Sequence, residues 1–247
     1  MPPILPSLAK ALSLGVVAVS LCLGGAAKAA PVVIVDENYN SLGVGQTVPG
    51  WTAHQPQFDT TVPVASNTVT LDGSNTALIH NDRGVEMFFA PVSGKISLSF
   101  DAHPLTGSSD GNFVVNFITS TGSHANLVRK NESDNWFYTF NGQPTFFASV
   151  TGWHHIDVDY YTNTGLYDLS LDGNQILANY DTGAAALQAG LAIEGIWMNS
   201  GRGGAGKPSY IDNLVITQTV TVPVPGALAL FGLGLASLGY ARRKRAA

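Results

Sequence analysis

Apolar and polar residues alternate in short runs through the middle of the chain, and a turn pair follows several of the runs. The runs are Val32–Val35, Thr68–Leu71, Ala77–His80, Val85–Phe89, Lys95–Ala102, Asn112–Thr119, Ala125–Arg129, Trp136–Phe140, Trp153–Tyr161, Tyr167–Leu171, Gln175–Tyr180, Leu191–Met198 and Tyr210–Thr217. Asp72-Gly73, Asp110-Gly111, Asn141-Gly142 and Asp172-Gly173 are pairs that favour hairpin turns. Period-two patterning at this spacing predicts an all-β, two-sheet antiparallel sandwich. Only Gly183–Ala189 has the makings of a helical turn. In Ile156–Tyr160 the alternation is strict, so His155, Asp157, Asp159 and Tyr161 share the face opposite the apolar residues.

The two ends break this pattern. Lys10 precedes an apolar run from Ala11 to Leu23, and Ala27-Lys28-Ala29 then fits a small-residue cleavage site, so residues 1–30 read as a secretory signal peptide. Cys22, the sole cysteine, lies in that segment, which leaves the exported chain without disulfides or a thiol nucleophile. Residues 31–220 are long enough for one sizeable core. That stretch carries six basic against seventeen acidic residues, a net charge of −11. A surface so acidic repels phosphate backbones and argues against a nucleic-acid partner.

The C-terminal part, residues 221–247, has three segments. Pro223-Val224-Pro225-Gly226 is a stiff break, Ala227–Tyr240 is apolar, and Arg242-Arg243-Lys244-Arg245 is a basic stop. The 14 apolar residues reach roughly 21 Å as a helix, and the flanks bring them near the ~30 Å of a bilayer core. The basic cluster favours the cytoplasmic side, with the rest of the chain outside. This order resembles the PEP-CTERM sorting signal, although Val224 stands where that family has glutamate. The resemblance implies a transmembrane sorting helix, passage through the inner membrane and cutting by signal peptidase and an exosortase. It also implies delivery to the cell surface or extracellular matrix in an organism that makes exopolysaccharide.

Trp153-His154-His155-Ile156, with Val158, Tyr160, Gly165, Leu169, Leu171, Asp172 and Gly173, resembles the central hairpin of laminin-G-like and concanavalin-like jelly rolls. Asp36–Tyr39 with Pro49-Gly50-Trp51 resembles their opening strand, and Tyr210–Ile216 their closing strand, which implies that the first and last strands are neighbours. Asp36, Glu37 and Asp212 then become candidates for a structural Ca²⁺, since hard oxygen ligands suit that ion.

His155-x-Asp157-x-Asp159 occupies the spacing at which the similarly folded family 16 glycoside hydrolases carry Glu-x-Asp-x-Glu. A retaining mechanism needs two carboxyl groups, and His155 in the first place breaks the pattern. These three residues are the catalytic candidates, read first as a solvated hairpin face. Gly201–Lys207 mimics the start of a phosphate loop, but Pro208 and a strand follow where a hydroxyl residue and a helix are needed. Trp136, Tyr161 and Trp197 are candidates to stack on sugar rings, with Arg202 reaching a ligand near Trp197. The resulting expectation is a non-catalytic surface or matrix protein that contacts polysaccharide. One rival is a glycan hydrolase or lyase, with two carboxylates or a His/Tyr pair on a concave sheet. The other is a structural or adhesion protein with a filled or flat face.

Overall fold

Side chains that alternate between oil and water drive the chain into paired strands, and the computed structural model has fifteen of them among the residues it describes. It describes residues 30–56, 60–79, 81–104, 113–130, 135–140, 143–149, 152–181, 185–200 and 209–220. The expected signal peptide and the sorting tail at 221–247 lie outside the described residues. In chain order the strands are β1 (Pro31–Glu37), β2 (Trp51–Ala53), β3 (Val64–Ser66), β4 (Thr76–Ile79), β5 (Asn81–Val92), β6 (Lys95–Pro104), β7 (Phe113–Thr119), β8 (His124–Lys130), β9 (Asn135–Phe140), β10 (Gln143–Ser149), β11 (His154–Tyr161), β12 (Leu166–Leu171), β13 (Asn174–Tyr180), β14 (Ile193–Ser200) and β15 (Ser209–Thr219). One helical turn, α1 (Ala185–Gln188), falls inside the predicted helical stretch.

The strands form two antiparallel sheets. The eight-stranded sheet runs β13-β12-β11-β6-β15-β4-β3, with β1 added to β15. The seven-stranded sheet runs β10-β9-β8-β7-β14-β5-β2. β15 takes β6 along one edge and shares the other, with Ser209–Ile211 against β4 and the stretch from Leu214 against β1. First and last strands are therefore neighbours, as the jelly-roll resemblance implies.

Inner faces meet in one core. Leu98 and Phe100 of β6, Ile156, Val158 and Tyr160 of β11 and Leu169 of β12 face Phe113, Val115 and Phe117 of β7 and Ile196 and Met198 of β14. Phe117 meets Tyr160 edge-on at 5.8 Å, and Phe100 meets Phe113 at 6.4 Å. The Tyr167 hydroxyl donates to the Leu127 carbonyl of the opposite sheet at 2.9 Å. Each such side chain taken from water contributes about 1.5–3 kcal/mol, which is how a fold without disulfides holds together. Asp172 and Gly173, at φ +51° and +75°, make the two-residue turn between β12 and β13 that their sequence predicts.

Two predicted features differ. Thr68–Leu71 is not a strand, because side chains claim its carbonyls. Thr76 Oγ1 bonds Val69 O at 2.9 Å, Trp153 Nε1 bonds Thr70 O at 2.9 Å, and Ser74 Oγ bonds Leu71 O at 2.6 Å. Val64–Ser66 takes the ladder with β4 instead. β10 is the other difference. Its Gln-Pro-Thr-Phe-Phe lacks alternation, and it sits at a sheet edge, where a proline is tolerated.

Candidate functional site

The two outer faces of the sandwich carry different chemistry. On the eight-stranded sheet, β11 has alternating burial, and His155, Asp157 and Asp159 point outward as the pattern predicts. The register sets His155 opposite Asp101 and Asp157 opposite Ser99. His155 Nδ1 lies 2.8 Å from Asp101, while its Nε2 lies 3.1 Å from Ser99 Oγ and 3.3 Å from Asp157. Asn213 Nδ2 donates to Asp101 at 2.8 Å. Asp159 is held by Lys95 at 2.7 Å and by Ser97 at 2.5 Å. Burial alone would lower the His155 pKa, but hydrogen bonds and charge from Asp101 and Asp157 outweigh it and raise the value.

Ser99, His155 and Asp101 reproduce the bonding order of a Ser-His-Asp relay, and two features disable it. The raised pKa favours a protonated ring where a general base must be neutral, and Asp157 competes for the same nitrogen. The face is a self-satisfied polar network.

At the β1–β15 junction, Asp36 and Glu37 pair with Val215 and Leu214. Asp212 is buried, accepting from Ser74 Oγ at 2.9 Å and from the Asn213 amide at 2.8 Å. Burial first, then the charges of Asp101 and Asp72, hold its carboxyl above the usual range despite those bonds. Burial and Asp36 do the same to Glu37. Among the described residues no group of three or more His, Cys, Asp or Glu side chains is close enough to hold a metal ion, these three included.

The seven-stranded sheet carries the other assembly. Its register sets Thr52, Glu86, Trp197, Asn116 and Asn126 in one row across β2, β5, β14, β7 and β8. His54 follows β2 directly, and its amide bonds Gly84 O at 3.0 Å. Its Nδ1 lies 2.7 Å from Glu86. His124 opens β8, and its ring stands 5.2 Å from the Trp197 ring and 5.5 Å from that of His54. Three strands separate β2 from β8, a span of roughly 19 Å at ~4.8 Å per spacing. Two side chains close that distance only if the face is concave.

On the outer side of β7, Val114, Asn116 and Ile118 are all buried, so this part of the face lies covered beneath the rings. Asn116 Oδ1 and Trp197 Nε1 are both buried without a hydrogen-bond partner among the described residues. Gly195 leaves room for Phe88, since a Cβ there would lie 3.2 Å from the Phe88 ring and 2.7 Å from Met87 O. Phe88 itself is 55% exposed, a bare aromatic surface beside the hollow. Burial first, then the neighbouring His54, lowers the His124 pKa, with Glu86 opposing.

Of the residues expected to bind a ligand, Trp197 lies at this hollow. Tyr161 is on the opposite face of the sandwich, donating its hydroxyl to Asp168 at 2.9 Å, so the two do not share a site. Trp136 sits on β9 of the seven-stranded sheet, and Arg202 lies outside the described residues. His54, Glu86, Asn116 and His124 were not visible as a group in the sequence. The one local signal is the alternation of Val85-Glu86-Met87, which turns Glu86 away from the core.

Residues 221–245 match the PEP-CTERM protein-sorting motif, so the chain carries that sorting signal. No curated protein matches the chain. Among solved structures, a sialidase superposes with a TM-score of 0.55 at 10% identity, covering 76% of this chain and 18% of that one. The globular domain of T. cruzi calreticulin gives 0.49 at 11% identity, covering 75% and 87%. The CBM22-1 xylan-binding domain from Paenibacillus barcinonensis Xyn10C gives 0.41 at 11%, covering 78% and 98%. At such identities the likeness is one of fold, the jelly-roll sandwich, and function has to be argued from the site.

Proposed function

We propose that this is an exported protein, sorted by its C-terminal signal to the cell surface or matrix, where the concave face of its seven-stranded sheet binds exopolysaccharide without cutting it. The observation that carries this reading is the set of groups over β7. The Trp197 indole and the 55% exposed Phe88 ring stand on one outer face, with the His54 and His124 rings and the Glu86 carboxylate beside the indole. Sugars offer apolar ring faces for aromatics and hydroxyl donors for an acceptor such as the Glu86 carboxylate. Glu86 is the carboxylate that the fold brings beside His54, and glycoside hydrolysis needs a second one. Signal peptidase, an exosortase and the inner membrane enter as processing partners.

One observation favours a second reading, a lyase. Burial and His54 lower the His124 pKa, and its ring stands beside the His54–Glu86 pair, a placement that suits a general base. A single experiment separates the readings. The full chain and Trp197→Ala are incubated with a panel of neutral and acidic polysaccharides, and both retention and chain length are measured. Retention of an intact polymer by the parent and loss of retention in the variant support binding. Shortened polymer supports the lyase. No retention of any polymer sinks the glycan reading and leaves a structural or adhesion role.

A further inference from the structure

We propose that the ring cluster around Trp197 takes a carboxylated glycan, a uronate-type polymer, and takes it together with a proton on His124. This rests on glycan binding at the concave face and names the class of glycan.

The charge of the two faces differs in kind. The outer face of the eight-stranded sheet presents Asp101, Asp157, Asp159 and Asp168 against Lys95 and His155. With a net charge of −11 over residues 31–220, most of this surface repels an anionic polymer. The hollow is the exception. His54 comes from the end of β2, Glu86 from β5 and His124 from β8, while Trp197 on β14 and Asn116 on β7 carry no charge. Arg129 of β8, level with Val114, stands on the same face one row away.

The rings leave one of the two histidines unmatched. Glu86 lies 2.7 Å from His54 Nδ1, so the His54 ring already has a carboxylate beside it, and the His124 ring, 5.5 Å away centroid to centroid, has none bonded to it among the described residues. A ligand carboxylate supplies the missing partner. Trp197, 5.2 Å from the His124 ring, offers the apolar wall for the sugar ring.

Protons follow from the same geometry. Burial and His54 disfavour charge on His124 while the hollow holds no anion. An anion beside His124 stabilises its charged form, so binding takes up a proton. Affinity therefore rises as pH falls through the imidazole range, by at most tenfold per pH unit for each proton taken up.

The test uses the full chain and three immobilised polymers: polygalacturonate, its neutral methyl ester, and dextran sulfate, each at pH 8 and pH 5.5. Polygalacturonate binding is expected to tighten by about tenfold or more on acidification. The ester is expected to bind more weakly and without pH dependence. His124→Gln and His124→Asn, each checked for an unchanged melting temperature at pH 8, should each flatten the pH profile; one of them remaining folded is enough to read it. Equal binding of acid and ester at both pH values overturns the carboxylate inference and leaves glycan binding standing. Dextran sulfate binding as tightly, with the histidine variants unaffected, overturns it as general polyanion attraction. No binding to any polymer removes both readings.

Discussion

The indole of Trp197 lies directly on the backbone of Gly84. A Cβ at residue 84 would stand 2.6 Å from Trp197 Cζ2 and closer still to Nε1 and Cε2, and Gly84 has φ +93°. The placement of the hollow's aromatic wall thus depends on one missing methyl group. Gly84→Ala is expected to cost roughly 2–4 kcal/mol through overpacking and an unfavourable backbone conformation. It should also displace the indole. Denaturant unfolding reads the first effect, and quenching of Trp197 fluorescence by acrylamide, in a background lacking the other three tryptophans, reads the second. An unchanged unfolding midpoint with unchanged quenching would contradict this packing.

The core offers a pair of opposite expectations. Phe117 is fully buried and meets Tyr160 edge-on, so Phe117→Ala should destabilise by about 3–5 kcal/mol. Tyr160 has a buried hydroxyl without a partner among the described residues, and burial pushes its pKa up to about 12. Tyr160→Phe removes that group and should stabilise by about 1 kcal/mol. Both are checked by urea unfolding, and a destabilised Tyr160→Phe would mean that the hydroxyl is bonded.

Two pH dependences lie on the eight-stranded sheet. The folded His155 pKa is raised, so its contribution to stability is fully present below the ordinary imidazole value near 6.5 and is lost as pH rises through the folded value. Asp172 runs the other way. Burial would raise its pKa, but the His154 bond at 2.8 Å and the His155 amide outweigh it and lower the value. Its contribution is present above the ordinary carboxylate value and is lost as pH falls through the folded one. Thermal melts of His155→Gln against the parent should differ at pH 5.5 and converge above pH 8. Melts of Asp172→Asn should differ at neutral pH and converge towards pH 2–3. A difference independent of pH in either case would remove the electrostatic account.

The tail is tested by localisation. With the sorting signal intact, the full chain is expected in the envelope fraction or, after cutting near Pro223–Gly226, at the surface. Deleting residues 221–247 should release the protein to the medium. Replacing Arg242–Arg245 with alanine should impair retention while leaving the sandwich folded. Envelope retention of the deleted chain would show that another part of the protein anchors it.

Local chemistry was enough to make the sandwich legible. Period-two alternation decides which residues a strand buries, and Asp-Gly pairs decide where the chain reverses, and both act over a few neighbours. That is why β11, β12 and their outward polar residues were foreseen, along with the sorting motif of the tail. Thr68–Leu71 was misread because its carbonyls bond to Ser74, Thr76 and Trp153, and a local pattern cannot show bonds made to a residue 83 positions away. The concave site was invisible for the same reason. His54, Glu86, Asn116, His124 and Trp197 meet through strand order, register and sheet curvature, none of which is encoded in the spacing of any one run. Sequence by itself determined which side chains turn outward, because each strand's alternation is its own. Only the tertiary structure decided which outward side chains share a hollow, because ladder pairing joins residues more than a hundred positions apart.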